Sequence, residues 1–134
     1  MEVFMKKIVS IFIIAIMVCS IAGCSQKIVV PINLPEKSVI QSIDIIIGDE
    51  TENHSDSEWI NQCISSITDA QVTSKESIQE LPQVDEFIQI NINTDNAVST
   101  IYVYMEKGNY YIEQPYQGIY KTDSTFYEML AGKE

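Results

Sequence analysis

The sequence predicts an α+β fold: an antiparallel β-meander with one main helix packed on a face and a short helix at the C-terminus. Three observations carry this. Strand-type runs follow one another from Glu86 to Glu113 with turn residues between them, as neighbouring antiparallel strands do. One segment, Asp56 to Ala70, carries its apolar residues at helical spacing instead. Strands and helices come in separate runs, so parallel crossover units are not expected.

Taken in order, Val39 to Ile47 (VIQSIDIII) is a β-branched run closed by Gly48, and reads as a strand. Asp49 to Ser57 (DETENHSDS) is polar and acidic and reads as a loop. Ser55-x-x-Glu58 then has the form of a capping box, and Ile60, Cys63, Ile64 and Ile67 form the apolar stripe of the main helix, with Trp59 and Ala70 beside it. Val72 to Pro82 reads as a loop, with a short strand within Ala70 to Ser74. Glu86 to Thr94 places Ile88, Ile90 and Ile92 on one face and Gln89, Asn91 and Asn93 on the other, a strand with one wet side. Asp95-Asn96 tolerates the positive φ of a tight hairpin. Val98 to Met105 returns with Ile101, Val103 and Met105 on one face and Thr100, Tyr102 and Tyr104 on the other. Lys107-Gly108-Asn109 turns the chain into a third strand, Tyr110 to Glu113, which Pro115 ends because it has no N–H for the ladder. Gly118 to Lys121 is a last short strand. Thr125-x-x-Glu128 caps the C-terminal helix and Gly132 stops it.

The N-terminus has a different character. Lys6 and Lys7 precede an uncharged apolar run, Ile8 to Ala22, and then Gly23 and Cys24. A basic start, an apolar middle and small residues before a cleavage point make a secretory signal. The run is shorter than the roughly 20 residues a spanning helix needs. Ile21, Ala22, Gly23 and Cys24 resemble the lipobox of bacterial lipoprotein signals. The resemblance implies that the Cys24 sulfur receives a diacylglyceryl group and that cleavage leaves Cys24 as the first residue. Two acyl chains hold a protein stably on a membrane where one holds it marginally. The expected organisation is therefore a signal at 1–23, the lipidated Cys24 with a proline-containing tether at 24–38, and one small domain at 39–134. The expected location is the outer face of the cell membrane.

The chain has a formal charge of −11, and loss of Glu2, Lys6 and Lys7 with the signal makes it −12, with no arginine. Nucleic acid, which requires a basic surface, is excluded as a partner. Of three cysteines, Cys19 leaves with the signal and Cys24 is lipidated, so Cys63 has no partner for an internal disulfide. Its place on the apolar stripe makes it a small core hydrophobe.

Motifs for catalysis are missing: there is no G-x-S-x-G, H-E-x-x-H, C-x-x-C or glycine-rich phosphate loop. Asp49, Glu50, Glu52, His54, Asp56 and Glu58 crowd together, but an EF-hand loop begun at Asp49 would have His54 and Ile60 where Gly and Glu are needed. No metal and no cofactor is expected, and the cluster reads as a solvated loop before a helix N-terminus. All seven tyrosines lie between positions 102 and 127. Tyr102, Tyr104, Tyr111, Glu113, Tyr116 and Tyr120 form the candidate binding patch, since tyrosine is amphipathic and common at recognition surfaces. The alternative is that these rings pack beneath the helices.

The segment Tyr110-Tyr111-Ile112-Glu113-Gln114-Pro115-Tyr116-Gln117-Gly118-Ile119-Tyr120 is the most distinctive string. With Tyr102-Val103-Tyr104 and Leu34-Pro35 it resembles a family of small Firmicutes lipoproteins defined as a domain of unknown function. The resemblance runs from about Leu34 to Leu130 and brings no catalytic residues with it. In physical terms Pro115 fixes the chain beyond a strand, and Gly118 permits a sharp turn. The reading that follows is a non-catalytic, membrane-anchored binding module for an envelope protein, peptide or glycan. The alternatives are a sensory or inhibitory domain acting on a membrane protein, and a hydrolase with an unrecognised site.

Overall fold

The computed structural model describes residues 30–132. Seven strands form one antiparallel sheet: β1 (Ser42–Ile47), β2 (Glu50–His54), β3 (Gln71–Val72), β4 (Ile88–Asn93), β5 (Val98–Glu106), β6 (Asn109–Gln114) and β7 (Gly118–Thr122), in the order β2-β1-β4-β5-β6-β7-β3. Helix α1 (Ser57–Thr68) follows β2, and α2 (Ser124–Leu130) closes the chain. The expected α+β class is the class observed.

The core face follows from the alternation. Ile43 and Ile45 of β1, Ile88, Ile90 and Ile92 of β4, Ile101 and Val103 of β5, Ile112 of β6 and Tyr120 of β7 are all buried in one cluster. Ile60, Cys63, Ile64 and Ile67 of α1, and Phe126 and Leu130 of α2, complete it. Both helices are capped by aspartate. Asp56 accepts from the Trp59 N–H at 2.9 Å, and Asp123 accepts from the Phe126 N–H at 2.9 Å. The expected caps, Ser55 and Thr125, are thus displaced by a neighbouring acid, whose charge also suits the positive end of a helix.

Four expectations change. The acidic stretch expected as a loop contains β2, paired along its length with β1. Gly48, with φ of +59°, makes the two-residue turn that allows this. As an edge strand beyond the helices, β2 needs no apolar alternation, and its charges discourage pairing with another sheet. The first strand starts at Ser42 and not Val39, because a 3₁₀ turn occupies Lys37–Val39. The Asp95-Asn96 turn is the middle of a four-residue connection closed by Thr94 N–H to Ala97 O, and neither residue has positive φ.

The fourth concerns the tether. Residues 30–34 lie along the β6–β7 hairpin. The Tyr120 hydroxyl donates to Val30 O at 2.7 Å, and Gln117 Nε2 donates to Pro31 O at 3.1 Å. Gln114 and Asn33 exchange two bonds, from Asn33 N–H to Gln114 Oε1 and from Gln114 Nε2 to Asn33 O. Ile32 and Leu34 pack against the core. This strap belongs to the domain.

The β6–β7 turn explains the distinctive string. Gln117 N–H bonds back to Gln114 O at 3.0 Å, with Pro115 at the first corner and Tyr116 at the second. Tyr116 has φ of +61°, the value a type II turn requires at that corner and glycine supplies without strain. Gly118 has no positive φ. It is needed because a Cβ there would lie 3.0 Å from the Tyr120 hydroxyl oxygen and 3.2 Å from the ring carbon bearing it. Tyr120 folds back over Gly118 to reach the strap, which corrects the reading of Gly118 as a turn residue. Tyr116→Gly is expected to raise stability by about 1 kcal/mol, since left-handed backbone costs a side-chain-bearing residue roughly 1–2 kcal/mol. Urea denaturation of the two proteins measures it.

Candidate functional site

The second face of the sheet holds the candidate patch. Tyr102, Tyr104, Tyr111 and Glu113 alternate with the core residues of β5 and β6 and share this face, where Tyr102 pairs with Glu113 and Tyr104 with Tyr111 in register. They are not open to solvent as a recognition surface. Tyr102 is 6% and Tyr104 3% exposed, and Glu113 is 1% exposed. Nor do they pack beneath the helices. Residues 73–87 cover them.

The topology requires this cover. α1 carries the chain from β2, at one edge, across the core face to β3, at the other. The next strand, β4, lies in the middle of the sheet. Residues 73–87 return to it across β7, β6 and β5 on the second face. Each crossing is fastened. The Thr73 hydroxyl donates to Ile119 O, and Ile119 N–H donates to Lys75 O at 3.3 Å. The Lys75 ammonium lies 4.2 Å from the centre of the Tyr111 ring. The Ser77 hydroxyl donates to Glu113 Oε1 at 2.7 Å. Phe87 meets Tyr102 edge to face, with centroids 5.2 Å apart.

Glu113 is the polar centre of this layer. Its other oxygen accepts from the Tyr104 hydroxyl at 3.3 Å. Burial pushes the Tyr104 phenol well above its ordinary range, and the Glu113 charge beside it adds to the effect. Burial also raises Tyr102, with Glu80 and Glu113 contributing. Beside Glu113 opens a groove of about 500 Å³, walled by Lys75, Glu76, Gln79 and Gln83 on the covering segment and floored by Tyr104 and Ile119. Ile78 and Leu81, on the same segment, are 77% and 55% exposed.

The remaining candidates are dispersed. Tyr120 is on the core face and Tyr116 is at the tip of the β6–β7 turn, 66% exposed. Ile21, Ala22, Gly23 and Cys24 lie outside the described residues. Nothing in the sequence marks Ser77, Lys75, Ile78 or Leu81 as part of the site. Their segment has only scattered apolar residues, and no period marks which of them face the sheet.

Around Asp44 and Asn91 the second face carries a hydrogen-bonded polar network. Asn53 Nδ2 and Asn93 Nδ2 donate to the two oxygens of Asp44 at 2.6 and 2.9 Å, and Thr100 Oγ1 and Gln89 Nε2 both donate to Asn91 Oδ1. The Asn53 amide, then the Asn93 amide, lower the Asp44 carboxyl below its ordinary 3.8, against a smaller effect of burial. A depressed carboxylate contributes stability above its unfolded value and loses it as pH falls through the folded one. Asn53→Ala should therefore raise the Asp44 pKa and flatten the loss of stability below about pH 4. A carboxyl NMR titration with acid denaturation of both proteins checks this.

Cys63 is fully buried, and burial pushes its thiol up to about 12. His54 stacks on Trp59 with ring centroids 3.6 Å apart, and its Nε2 is 3.3 Å from Glu52 Oε1. Among the described residues no three His, Cys, Asp or Glu side chains come together as a metal-holding group. Among them also, no helix is long and apolar enough to cross a membrane.

The sequence pattern of the DUF5301 family, described as "Domain of unknown function (DUF5300)", matches residues 28–121. The chain belongs to this family. The match takes in the strap, α1, the covering segment and all seven strands but for the last residue of β7. An NMR structure of a protein from Ruminococcus gnavus is similar, with 36% sequence identity and a TM-score of 0.62. The similarity covers 72% of this chain and 98% of that one. No curated protein matches the chain.

Proposed function

We propose that this DUF5301 protein is a lipoprotein anchored through Cys24 on the outer face of the cell membrane, where it binds an envelope protein or peptide without catalysing a reaction. The signal-like N-terminus and its Ile21-Ala22-Gly23-Cys24 box support the anchor. The observation that carries the binding role is the 73–87 segment. Irregular segments longer than about 12–15 residues in compact domains are usually functional when ordered. This one is fastened underneath by Thr73, Lys75, Ser77 and Phe87, yet turns Ile78 and Leu81 to solvent beside a groove. An apolar pair held outward on a fixed support is suited to a protein or peptide partner. The inaccessibility of Cys63 supports a role without thiol catalysis.

A photoreactive residue at position 78, compared with one at position 47, tests the binding role in intact cells. A discrete adduct from 78, absent from 47 and lost on Leu81→Ser, is the expected result. Equal or diffuse labelling at both positions would remove the segment as the binding element. Alkyne-fatty-acid labelling of the protein and of Cys24→Ala tests the anchor separately.

A further inference from the structure

We infer that the corner of the domain formed by the β6–β7 turn rests on the lipid bilayer, with Tyr116 and Val30 in the headgroup layer. This rests on the proposed anchor at Cys24. The described chain begins at Val30, and six residue steps separate it from Cys24. At no more than about 3.6 Å per residue, the lipid-bearing sulfur is tied within roughly 20–25 Å of Val30.

The exit point is fixed, not free to roam. Val30 and Pro31 are bonded through their carbonyls to Tyr120 in β7 and Gln117 in the turn, and Asn33 is bonded to Gln114 on the β6 side. Whatever holds Cys24 on the membrane therefore holds this hairpin near it. The residues displayed there suit that place. Tyr116 is 66% and Val30 43% exposed, and Val98, at the same end of the sheet on the strand next to β6, is 60% exposed. Tyrosine favours the membrane–water interface, where the ring is shielded and the hydroxyl stays wet. The turn itself, Gln114 to Gly118, carries no charge.

Charge elsewhere favours the same orientation. Asp49, Glu50, Asp85, Glu86, Glu106 and Asp123 sit at or beside the strand ends opposite the β6–β7 turn, outnumbering the two bases there, Lys107 and Lys121. An anionic membrane surface repels that end. Asp56 and Glu58 are at the same end as the turn, but beside β2, four strands away from β6. At about 4.8 Å per strand that is roughly 19 Å, well beyond a Debye length of about 8 Å. Glu36, Lys37 and Asp95 lie between, two acids and one base. The contact is thus a corner and not the whole end.

The test uses the full lipidated protein in phosphatidylglycerol vesicles carrying headgroup-level spin-labelled lipid. An environment-sensitive fluorophore is placed at Tyr116→Cys, at Val98→Cys, or at Lys107→Cys at the far end. Buried Cys63 does not compete for the label. Several-fold stronger quenching at 116 than at 107, with 98 intermediate, is expected. Equal quenching, or stronger quenching at 107, on protein whose mass shows the lipid on Cys24 overturns the orientation and leaves the anchor standing. Absence of the lipid from Cys24 in the cell-derived protein overturns the anchor, and the orientation with it.

Discussion

Tyr120→Ala is expected to lower the stability of the domain by about 3–5 kcal/mol, the range for removing a large buried aromatic. The ring is 1% exposed and lies between Gly118 and the strap. Its loss opens a cavity beside a residue that has no side chain to fill it. It also removes the donor to Val30 O, which is part of what ties residues 30–34 to the sheet. Tyr120→Phe separates the two effects. It keeps the ring and loses one hydrogen bond, so about 1 kcal/mol is expected. Chemical denaturation of the chain beginning at Ser25 gives both values. Hydrogen exchange at Asn33, whose N–H bonds to Gln114, should quicken in both variants, since both release the strap.

The second large effect is at Glu113. Glu113→Ala is expected to destabilise by about 2–4 kcal/mol, from a cavity and two hydroxyls left without their acceptor. Ser77 and Tyr104 are those hydroxyls. The covering segment then loses its hold on β6, and amides of residues 74–80 should exchange faster than the rest of the sheet. The Tyr104 phenol should titrate lower, toward its ordinary 10.0, because its burial is loosened and the Glu113 charge and hydrogen bond are gone. Glu113→Gln preserves the volume and an acceptor for Ser77, so a loss under about 1 kcal/mol is expected. A loss in Glu113→Gln as large as in Glu113→Ala would mean that the negative charge, and not the hydrogen-bond geometry, organises this layer.

Much of the architecture was legible where one side of an element is wet. Ile88-Gln89-Ile90-Asn91-Ile92-Asn93 announces its two faces because one is core and the other is an amide surface. α1 shows its stripe for the same reason. β2 was hidden because an edge strand is specified by its neighbour β1 and by Gly48, while its own residues are chosen for solubility. Alternation puts Tyr102 and Tyr104 on one face but says only that they are together. What covers them is settled by the return path from β3 to β4, a property of strand order that local pattern does not contain. The need for glycine at 118 is not a turn requirement. A backbone-strain argument belongs to Tyr116, and Gly118 is a matter of space under a ring.

The strand order also bears on how the chain is made. β1 must pair with β4, about 40 residues later, and β3 must pair with β7, about 50 residues later. The stripe of α1 has only β1 and the strap to lie against until β4 to β7 exist. Translation proceeds from the N-terminus at about 5–20 residues per second. From the last residue of α1 to the last of β7, synthesis takes roughly 3–11 s at that pace. During that interval Ile60, Ile64 and Ile67 are without their native cover, and the N-terminal half has no stable native structure to occupy. Completion comes last, when Tyr120 clamps residues made some 90 positions earlier and Phe126 and Leu130 of α2 close over the core. The domain therefore matures as a whole and not piece by piece, and its early segments remain open to whatever chaperone meets them first.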